Sequence, residues 1–264
     1  MTRFFVEPDK IQNDTIYLSR DDMAHIRSLR LKPTETFTVC DSSGMDYICN
    51  LGDKSDGSTA KIVDKYPSKG EPNVDCTVYI AYSKGDRLDY SVQKSVELGA
   101  NKIVLFPSAR CISVPSNVQK KIDRLQRIAY ETAKLCFRGY IPQVSAAESF
   151  ESVINQAVDA DLPLYFYELE EELSLKKALE NTTKCLSVSP ASSTSPALST
   201  PAIIKTITIV TGPEGGFEAS EAQYARNKGM TTVSLGSRIL RCETAPIAAL
   251  AIIMFYFGEL QESP

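Results

Sequence analysis

The feature that most restricts the fold of this chain is an alternation of short apolar runs with longer amphipathic segments, which begins at residue 74 and continues nearly to the end. A strand followed by a helix and a further strand is typical of parallel sheets whose faces are covered by helices. Predicted strands lie at 74–82, 102–106, 162–167, 207–210 and 231–235, and predicted helices at 87–98, 118–137, 150–157 and 173–179. The predicted fold class is therefore α/β with a mostly parallel sheet.

The N-terminal part follows a different pattern, in which short β-like runs are separated by polar turns, and this predicts a small barrel. A short helix capped by Ser19 interrupts these runs. The segment 67–72 has two prolines and a glycine and is a predicted linker. We therefore place a small domain at 1–70 and the α/β domain at 71–264. Within the latter, 187–201 is rich in Ser, Thr and Pro and is predicted to be a flexible surface insertion.

The composition is that of a globular protein, with 43% hydrophobic residues in a chain of 264. Seven cysteines are scattered without a Cys-x-x-Cys pair and there is one histidine, so neither a metal site nor a disulfide framework is predicted. The N-terminus lacks a signal-peptide pattern, and the longest apolar run, 245–257, is shorter than the roughly 20 residues that a membrane helix needs. We expect a cytoplasmic protein without a membrane anchor.

The net charge of −4 taken as an average argues against a nucleic-acid partner. The charges are segregated, however, because acidic residues concentrate at 168–172 whereas arginines and lysines cluster at 27–32 and along 110–138. A modest footprint on folded RNA is therefore compatible with the sequence.

Two glycine-bearing turns are the strongest functional signals. The first follows the predicted strand 207–210 and has the sequence GPEGGF at 212–217. Glycines let a backbone approach a ligand closely, but Glu214 would repel a phosphate, so a neutral or cationic ligand fits better. The second turn, LGSRILRCETA at 235–245, follows the next predicted strand. One such turn is an ordinary connector, whereas two that leave the carboxyl edge of one parallel sheet predict a shared ligand pocket.

These two motifs together resemble the C-terminal signature of the RsmE family, and the resemblance runs nearly end to end. It includes Arg3–Val6, His25–Leu31, Gln93–Gly99 and the positions of Arg110 and Arg138. The chain departs from the family pattern before Arg138, where it has Lys134-Leu135-Cys136, and at Cys242, where the family has threonine. The first departure lies in the predicted helix that precedes Arg138, and the second is expected to be tolerated.

The resemblance implies a SPOUT-class methyltransferase with a trefoil-knotted C-terminal domain, an N-terminal PUA-like barrel and S-adenosylmethionine as cofactor. Its implied reaction is methylation of N3 of a uridine in small-subunit (16S) ribosomal RNA, its implied partners are that RNA or the assembled subunit, and a homodimer would bury the apolar helix at 247–257. The cofactor pocket would be formed by Thr211, Gly212, Pro213, Glu214, Gly215, Gly216, Leu235, Gly236, Ile239, Leu240 and Arg241.

Methylation of a uridine N3 requires that its proton be lost and that the resulting anion be stabilised. Arg241 is the predicted partner of that anion, and Glu243 would accept the proton or hold Arg241 in place. The alternative for this pair is an internal salt bridge that braces the turn. Glu214 is expected to accept hydrogen bonds from backbone N–H groups of its own turn.

A set of basic side chains is predicted to contact RNA, with His25 assigned to this set rather than to catalysis. The alternatives are a solvated charged face for the N-terminal arginines and a structural role for the histidine. The predicted RNA-binding residues are Arg3, His25, Arg27, Arg30, Arg110 and Arg138.

Two other functions fit the same sequence. The enzyme could methylate another RNA position, such as a ribose 2′-hydroxyl or a different base. Alternatively, the chain could be a non-enzymatic RNA-binding factor in ribosome assembly whose cofactor pocket is vestigial.

Overall fold

A computed structural model describes residues 3–32, 34–51, 59–187 and 204–260 of the chain, with only the backbone at 183–187. Its contacts divide the chain into two compact units, Met1–Glu71 with Ala129–Pro142, and Pro72–Ile128 with Gln143–Pro264. The sequence did not indicate that 129–142 groups with the first unit. The predicted insertion at 187–201 falls outside the described residues, apart from its first position.

The first unit is built on a six-stranded sheet with the order β1-β4-β5-β6-β3-β2. Its strands are β1 (Arg3–Phe5), β2 (Ile11–Gln12), β3 (Thr15–Tyr17), β4 (Phe37–Cys40), β5 (Met45–Asn50) and β6 (Thr59–Pro67). The β1 and β4 pair is parallel, and the other pairs of this sheet are antiparallel. No ladder among the described residues joins β2 to β1, so hydrogen bonds do not close the sheet there and the barrel stays a prediction.

A short helix α1 (Arg20–Ser28) follows β3, and Ser19 caps it by accepting the Asp22 N–H at 3.0 Å, which confirms the predicted cap. Met23 and Ile26 point from this helix into the core of the unit. A 3-10 helix, Pro8–Lys10, connects β1 to β2. The other residues of α1, which are mostly polar, are exposed or partly exposed, as expected for a helix with one apolar face.

The second unit contains a six-stranded parallel sheet with the order β12-β10-β11-β7-β8-β9. The strands are β7 (Asp75–Ala81), β8 (Lys102–Phe106), β9 (Gln143–Ala146), β10 (Leu162–Phe166), β11 (Thr206–Thr211) and β12 (Thr231–Val233). The helices that follow in the chain are α2 (Arg87–Glu97), α3 (Val118–Leu135), α4 (Phe150–Ala157), α5 (Leu175–Ser187), α6 (Ala219–Lys228) and α7 (Thr244–Tyr256). They belong to the second unit, except that residues 129–135 of α3 group with the first. The predicted α/β class with a mostly parallel sheet is confirmed.

The central strands are apolar on both sides, which explains why this sheet lies between layers of helices. Ile209 of β11 pairs with Val78 of β7 and Leu164 of β10, and all three side chains are fully buried. Helix α7 packs against α2 and β11, and α4 packs against α6. No helix in the described ranges has the length and apolar character needed to cross a membrane.

Candidate active site at the carboxyl edge of the parallel sheet

The two glycine-bearing turns leave the same edge of the sheet. Strand β10 lies between β11 and β12, and all three strands are parallel, so the turns that follow β11 and β12 flank the turn that follows β10. Hydrogen bonds join the three turns: the Phe217 N–H donates to Glu168 at 3.1 Å, and the Ser234 N–H donates to the Leu173 carbonyl at 2.9 Å. Open α/β sheets bind ligands at this edge.

The turn after β11 is tight, and two of its glycines are needed for steric reasons. Gly216 has φ +68°, in the left-handed region, and its N–H donates to the Pro213 carbonyl at 3.0 Å. A Cβ on Gly216 would collide with the Glu168 carboxylate, and one on Gly212 would lie 3.1 Å from the Phe217 ring. Thr211 anchors the start of the turn, since its buried hydroxyl donates to the Tyr79 carbonyl at 3.2 Å.

Glu214 does not bind within its own turn, and that prediction was wrong. Its Oε1 accepts a hydrogen bond from the Lys84 N–H at 2.8 Å and another from the Nη1 of Arg87 at 2.7 Å. The turn is therefore bound to the start of α2 and the segment before it. The other carboxylate oxygen, Oε2, is buried and has no hydrogen-bond partner in the described part of the chain. A buried acceptor without a donor is costly unless a ligand satisfies it.

Glu243 takes part in an ion pair, but with a partner other than the predicted one. Its Oε2 lies 3.5 Å from the Nε of Arg87 and accepts a hydrogen bond from the Cys242 thiol at 3.3 Å. Arg241 forms no salt bridge with Glu243 among the described residues. Partial burial raises the pKa of Glu243, but its hydrogen bonds and the charges of Arg87 and Arg241 outweigh that effect and hold it below its usual 4.5. Glu243 is therefore a carboxylate at neutral pH.

Arg87 is the residue that sequence reasoning missed. It contacts Glu214 in the first turn and Glu243 at the end of the second, so the two turns share one guanidinium. The only sequence signal was a positive residue at the start of the predicted helix 87–98. Arg87 therefore links the two turns at the edge of the sheet where the sequence predicted that they would meet.

The second turn presents several of its predicted residues at the surface. Gly236 has φ +100°, and no neighbouring atom of the described residues lies within 4 Å of the position that a Cβ would occupy there. Ile239 is 81% exposed, and Leu235 and Leu240 are half-buried. Arg241 is exposed and has no ion pair in the described part of the chain, so its guanidinium is available to a substrate.

Arg110 lies beside the first turn. Its Nη1 donates to the Gly215 carbonyl at 3.3 Å, its Nε is 3.9 Å from Glu218, and its side chain is exposed. A Cβ on Gly215 would lie 3.0 Å from the Cβ of Arg110. The residue therefore supports the turn and remains accessible to an anion.

The other predicted RNA contacts fall into two groups. Arg3 and Arg138 are 3% and 2% exposed, because Arg3 pairs with Asp46 and Arg138 pairs with Glu71 through two hydrogen bonds at 2.8 and 2.9 Å. The placement of these two arginines corrects the prediction, since a guanidinium buried against a carboxylate in the first unit serves folding and cannot reach a phosphate. The remaining N-terminal members, His25, Arg27 and Arg30, lie exposed on or just after α1.

No group of three or more His, Cys, Asp or Glu side chains in the described segments could hold a metal ion. The site is therefore described by the two turns, Arg87, Arg110, Arg241 and Glu243. Its charged groups are the three arginines and the carboxylates of Glu214 and Glu243, and they lie at or beside the two glycine-bearing turns.

Comparison with known proteins identifies the family. A family model for an RNA methyltransferase domain matches residues 70–254. The chain is 31% identical over 252 residues to "Ribosomal RNA small subunit methyltransferase E" of Synechocystis sp., covering 95% of this chain and 76% of that protein. This chain belongs to the RsmE family. It is also 29% identical to the protein of the same name from Bacillus subtilis, over 97% of this chain and 96% of the relative.

A solved structure with the same overall fold is similar to this RsmE protein. It is the crystal structure of a ribosomal RNA small subunit methyltransferase E from Neisseria gonorrhoeae bound to S-adenosyl methionine, with 27% identity and a TM-score of 0.80. The alignment covers 99% of this chain and all of that chain. The family that the two turn motifs indicated is confirmed.

Cys242 of this RsmE protein is expected to resist alkylation. Burial, the hydrogen bond to Glu243 and the charges of Glu214 and Glu243 raise its pKa to about 12. Because the thiolate is the reactive form, we expect iodoacetamide at neutral pH to modify Cys242 at least about tenfold more slowly than in the unfolded chain. Mass spectrometry of the digested protein measures both rates, and equal rates would contradict the described environment.

Proposed function

We propose that this protein methylates N3 of a uridine in small-subunit ribosomal RNA with S-adenosylmethionine as methyl donor. As a member of the RsmE family, it is an S-adenosylmethionine-dependent ribosomal RNA methyltransferase. The observation that supports the site assignment most directly is Arg87, whose contacts with Glu214 and Glu243 put both glycine-bearing turns at one place on the sheet edge. The uridine N3 target is the finer part of the proposal.

The residues of the two turns fit this cofactor. Its ammonium and ribose hydroxyl groups are donors, and the buried Oε2 of Glu214 is an acceptor without a partner among the described residues. The space beside Gly236 and the glycine backbone of 212–216 would allow the ligand to approach closely. We assign cofactor binding to Thr211 through Gly216 and to Leu235, Gly236, Ile239, Leu240 and Arg241. When bound, the cofactor supplies an electrophilic methyl group.

Two side chains would act on the uridine. Arg241, exposed and without an ion pair in the described chain, would donate to the carbonyl oxygens that carry the negative charge once the N3 proton is lost. Glu243, ionised at neutral pH, would accept that proton. Because Arg87 and not Arg241 pairs with Glu243, the two functional groups are free to act separately.

The RNA partner would meet exposed arginines and one exposed histidine. His25, Arg27 and Arg30 form one such group in the first unit, and Arg110 lies at the first turn of the second unit. We propose phosphate contacts for these four residues. Arg3 and Arg138 are left out, because they are buried in ion pairs.

The remaining features implied by the resemblance complete the proposal. We propose that the second unit has the trefoil knot and that the first unit functions as a PUA-like RNA-binding module. A homodimer would cover apolar side chains that α7 leaves exposed, namely Ile252, Phe255 and Tyr256. The proposed location is the cytoplasm.

The proposed reaction can be tested directly. Purified protein is incubated with S-adenosylmethionine and small ribosomal subunits from a strain that lacks the modification, and the RNA is digested to nucleosides for mass spectrometry. We expect a new N3-methyluridine that depends on both protein and cofactor. A ribose-methylated or differently methylated nucleoside would contradict the N3 assignment.

A separate measurement tests whether the pocket is used at all. Calorimetric titration with S-adenosylmethionine is expected to show binding with one site per chain. Absence of binding at millimolar ligand would favour a non-enzymatic assembly factor and overturn the enzymatic proposal.

A further inference from the structure

Arg87 lies at the first position of α2 and belongs to neither glycine-bearing turn, yet it contacts both. Its Nη1 is 2.7 Å from Glu214 Oε1 and 3.1 Å from the Lys84 carbonyl, and its Nε is 3.5 Å from Glu243 Oε2. We infer that Arg87 is a positioning residue that couples the cofactor turn to the catalytic carboxylate. This inference rests on the function proposed above and assigns a role to a side chain outside both motifs.

The electrostatics of the site explain why such a residue is needed. Glu214 and Glu243 are less than one-fifth exposed and both lie against the same guanidinium, so without it two carboxylates would face each other. Each of them makes its only ion pair with Arg87 among the described residues. Two carboxylates that contact one guanidinium are close enough to repel each other, and partial burial reduces the screening of that repulsion by water. Arg87 therefore stabilises the arrangement in which the turns are together.

The groups that face Glu243 are few and can be named. Arg87 comes from α2, Arg241 and Cys242 come from the second turn, and Glu214 of the first turn lies against the same Arg87 guanidinium. Of these, the hydrogen bond from Cys242 and the charges of Arg87 and Arg241 favour the ionised form of Glu243. Removal of Arg87 would thus make Glu243 easier to protonate, which would raise its pKa.

The contact pattern also requires arginine rather than lysine. One guanidinium uses Nη1 for one carboxylate and Nε for the other, and these two nitrogens are held apart by the rigid planar group. A lysine ammonium is a single point of charge on a flexible stem, so it would neutralise one carboxylate well and the other poorly. Arg87→Lys should therefore have a kcat and a cofactor affinity between those of the unaltered protein and those of Arg87→Met.

The experiment compares Arg87→Met, which keeps an apolar stem, with Arg226→Met as matched control. Arg226 is also half-exposed, at 42% against 41% for Arg87, and it also makes an ion pair, at 2.8 Å to Glu170. For Arg87→Met we expect kcat to fall about tenfold, with weaker S-adenosylmethionine binding. The acid limb of the kcat profile should move to higher pH, because Glu243 loses a cation that lowers its pKa. Arg226→Met should leave kcat and the pH profile unchanged.

A merely structural role would lower the thermal unfolding midpoint without moving the acid limb, and that result would overturn the inference. A second variant keeps the test sharp: Glu243→Gln combined with Arg87→Met removes the repulsion at a carboxylate outside the proposed cofactor pocket, and it should recover part of the lost cofactor affinity. No recovery, or an unchanged acid limb, would count against the coupling role. If the unaltered protein itself transfers no methyl group to the RNA, the proposed function fails, which is a different outcome from an active protein that is insensitive to Arg87→Met.

Discussion

Replacing Arg241 with alanine is expected to lower kcat for RNA methylation about 100-fold to 1,000-fold, the range seen when a group that stabilises transition-state charge is removed. The reason is that Arg241 is exposed and makes no ion pair among the described residues, so its guanidinium is not committed to holding the fold. The loss should therefore appear in the chemical step. Cofactor affinity should change by no more than about a few-fold, since the backbone of the turn is retained.

Arg238→Ala is the matched control for this experiment. Arg238 lies in the same turn, three residues earlier, and is likewise exposed. Single-turnover rates with saturating RNA separate chemistry from binding, and calorimetry gives the affinity for S-adenosylmethionine. If Arg241→Ala and Arg238→Ala had the same rate, the anion-stabilising role of Arg241 would be refuted.

The parallel sheet could be predicted because most of its strands correspond to apolar runs of the sequence that are bounded by polar turns. Five of its six strands, β7, β8, β10, β11 and β12, coincide with predicted runs. The sixth, β9 (Gln143–Ala146), was not predicted, because it is four residues long and only Val144 is a buried apolar residue. Its pairing with β8 comes from tertiary contacts that a local pattern does not contain.

The site was predictable in outline for a topological reason. Parallel strands of one sheet end at the same edge, so the turns after β11 and β12 could be placed at that edge once both runs were recognised as strands. That β10 alone separates the two strands is known from the strand order of the structure. The identity of each ion-pair partner was not predictable. Glu243 was assigned to Arg241 because the two are neighbours in the sequence, whereas the structure pairs it with Arg87, which is distant along the chain.

The same dependence on distant partners explains the error over the buried arginines. A positive residue near other positive residues indicates a nucleic-acid surface only if it is exposed. Arg138 belongs to such a cluster in the sequence, but Glu71, 67 residues away, accepts two of its hydrogen bonds and makes it part of the interior. Exposure depends on contacts that only the fold brings together.

Gly216→Ala is expected to weaken S-adenosylmethionine binding on the order of 50-fold, which corresponds to roughly 2 to 3 kcal/mol. Two costs add. Alanine at φ +68° carries a left-handed strain of about 1 to 2 kcal/mol. Its Cβ would also displace the Glu168 carboxylate, which accepts the Phe217 N–H at 3.1 Å, and a lost hydrogen bond adds about 1 kcal/mol. The turn would relieve both costs by moving away from the geometry that holds the ligand.

The control for Gly216→Ala must carry the strain without the collision. Gly258→Ala meets that condition, because Gly258 has φ +85°, lies after α7 and has no neighbouring atom of the described chain within 4 Å of the added Cβ. Both variants should lose a similar part of their stability to backbone strain, measured by urea unfolding, but only Gly216→Ala should lose cofactor affinity, measured by calorimetry. If the two variants bound S-adenosylmethionine equally well, the turn at 212–217 would not be a cofactor site, since its tight geometry would then have no influence on the ligand.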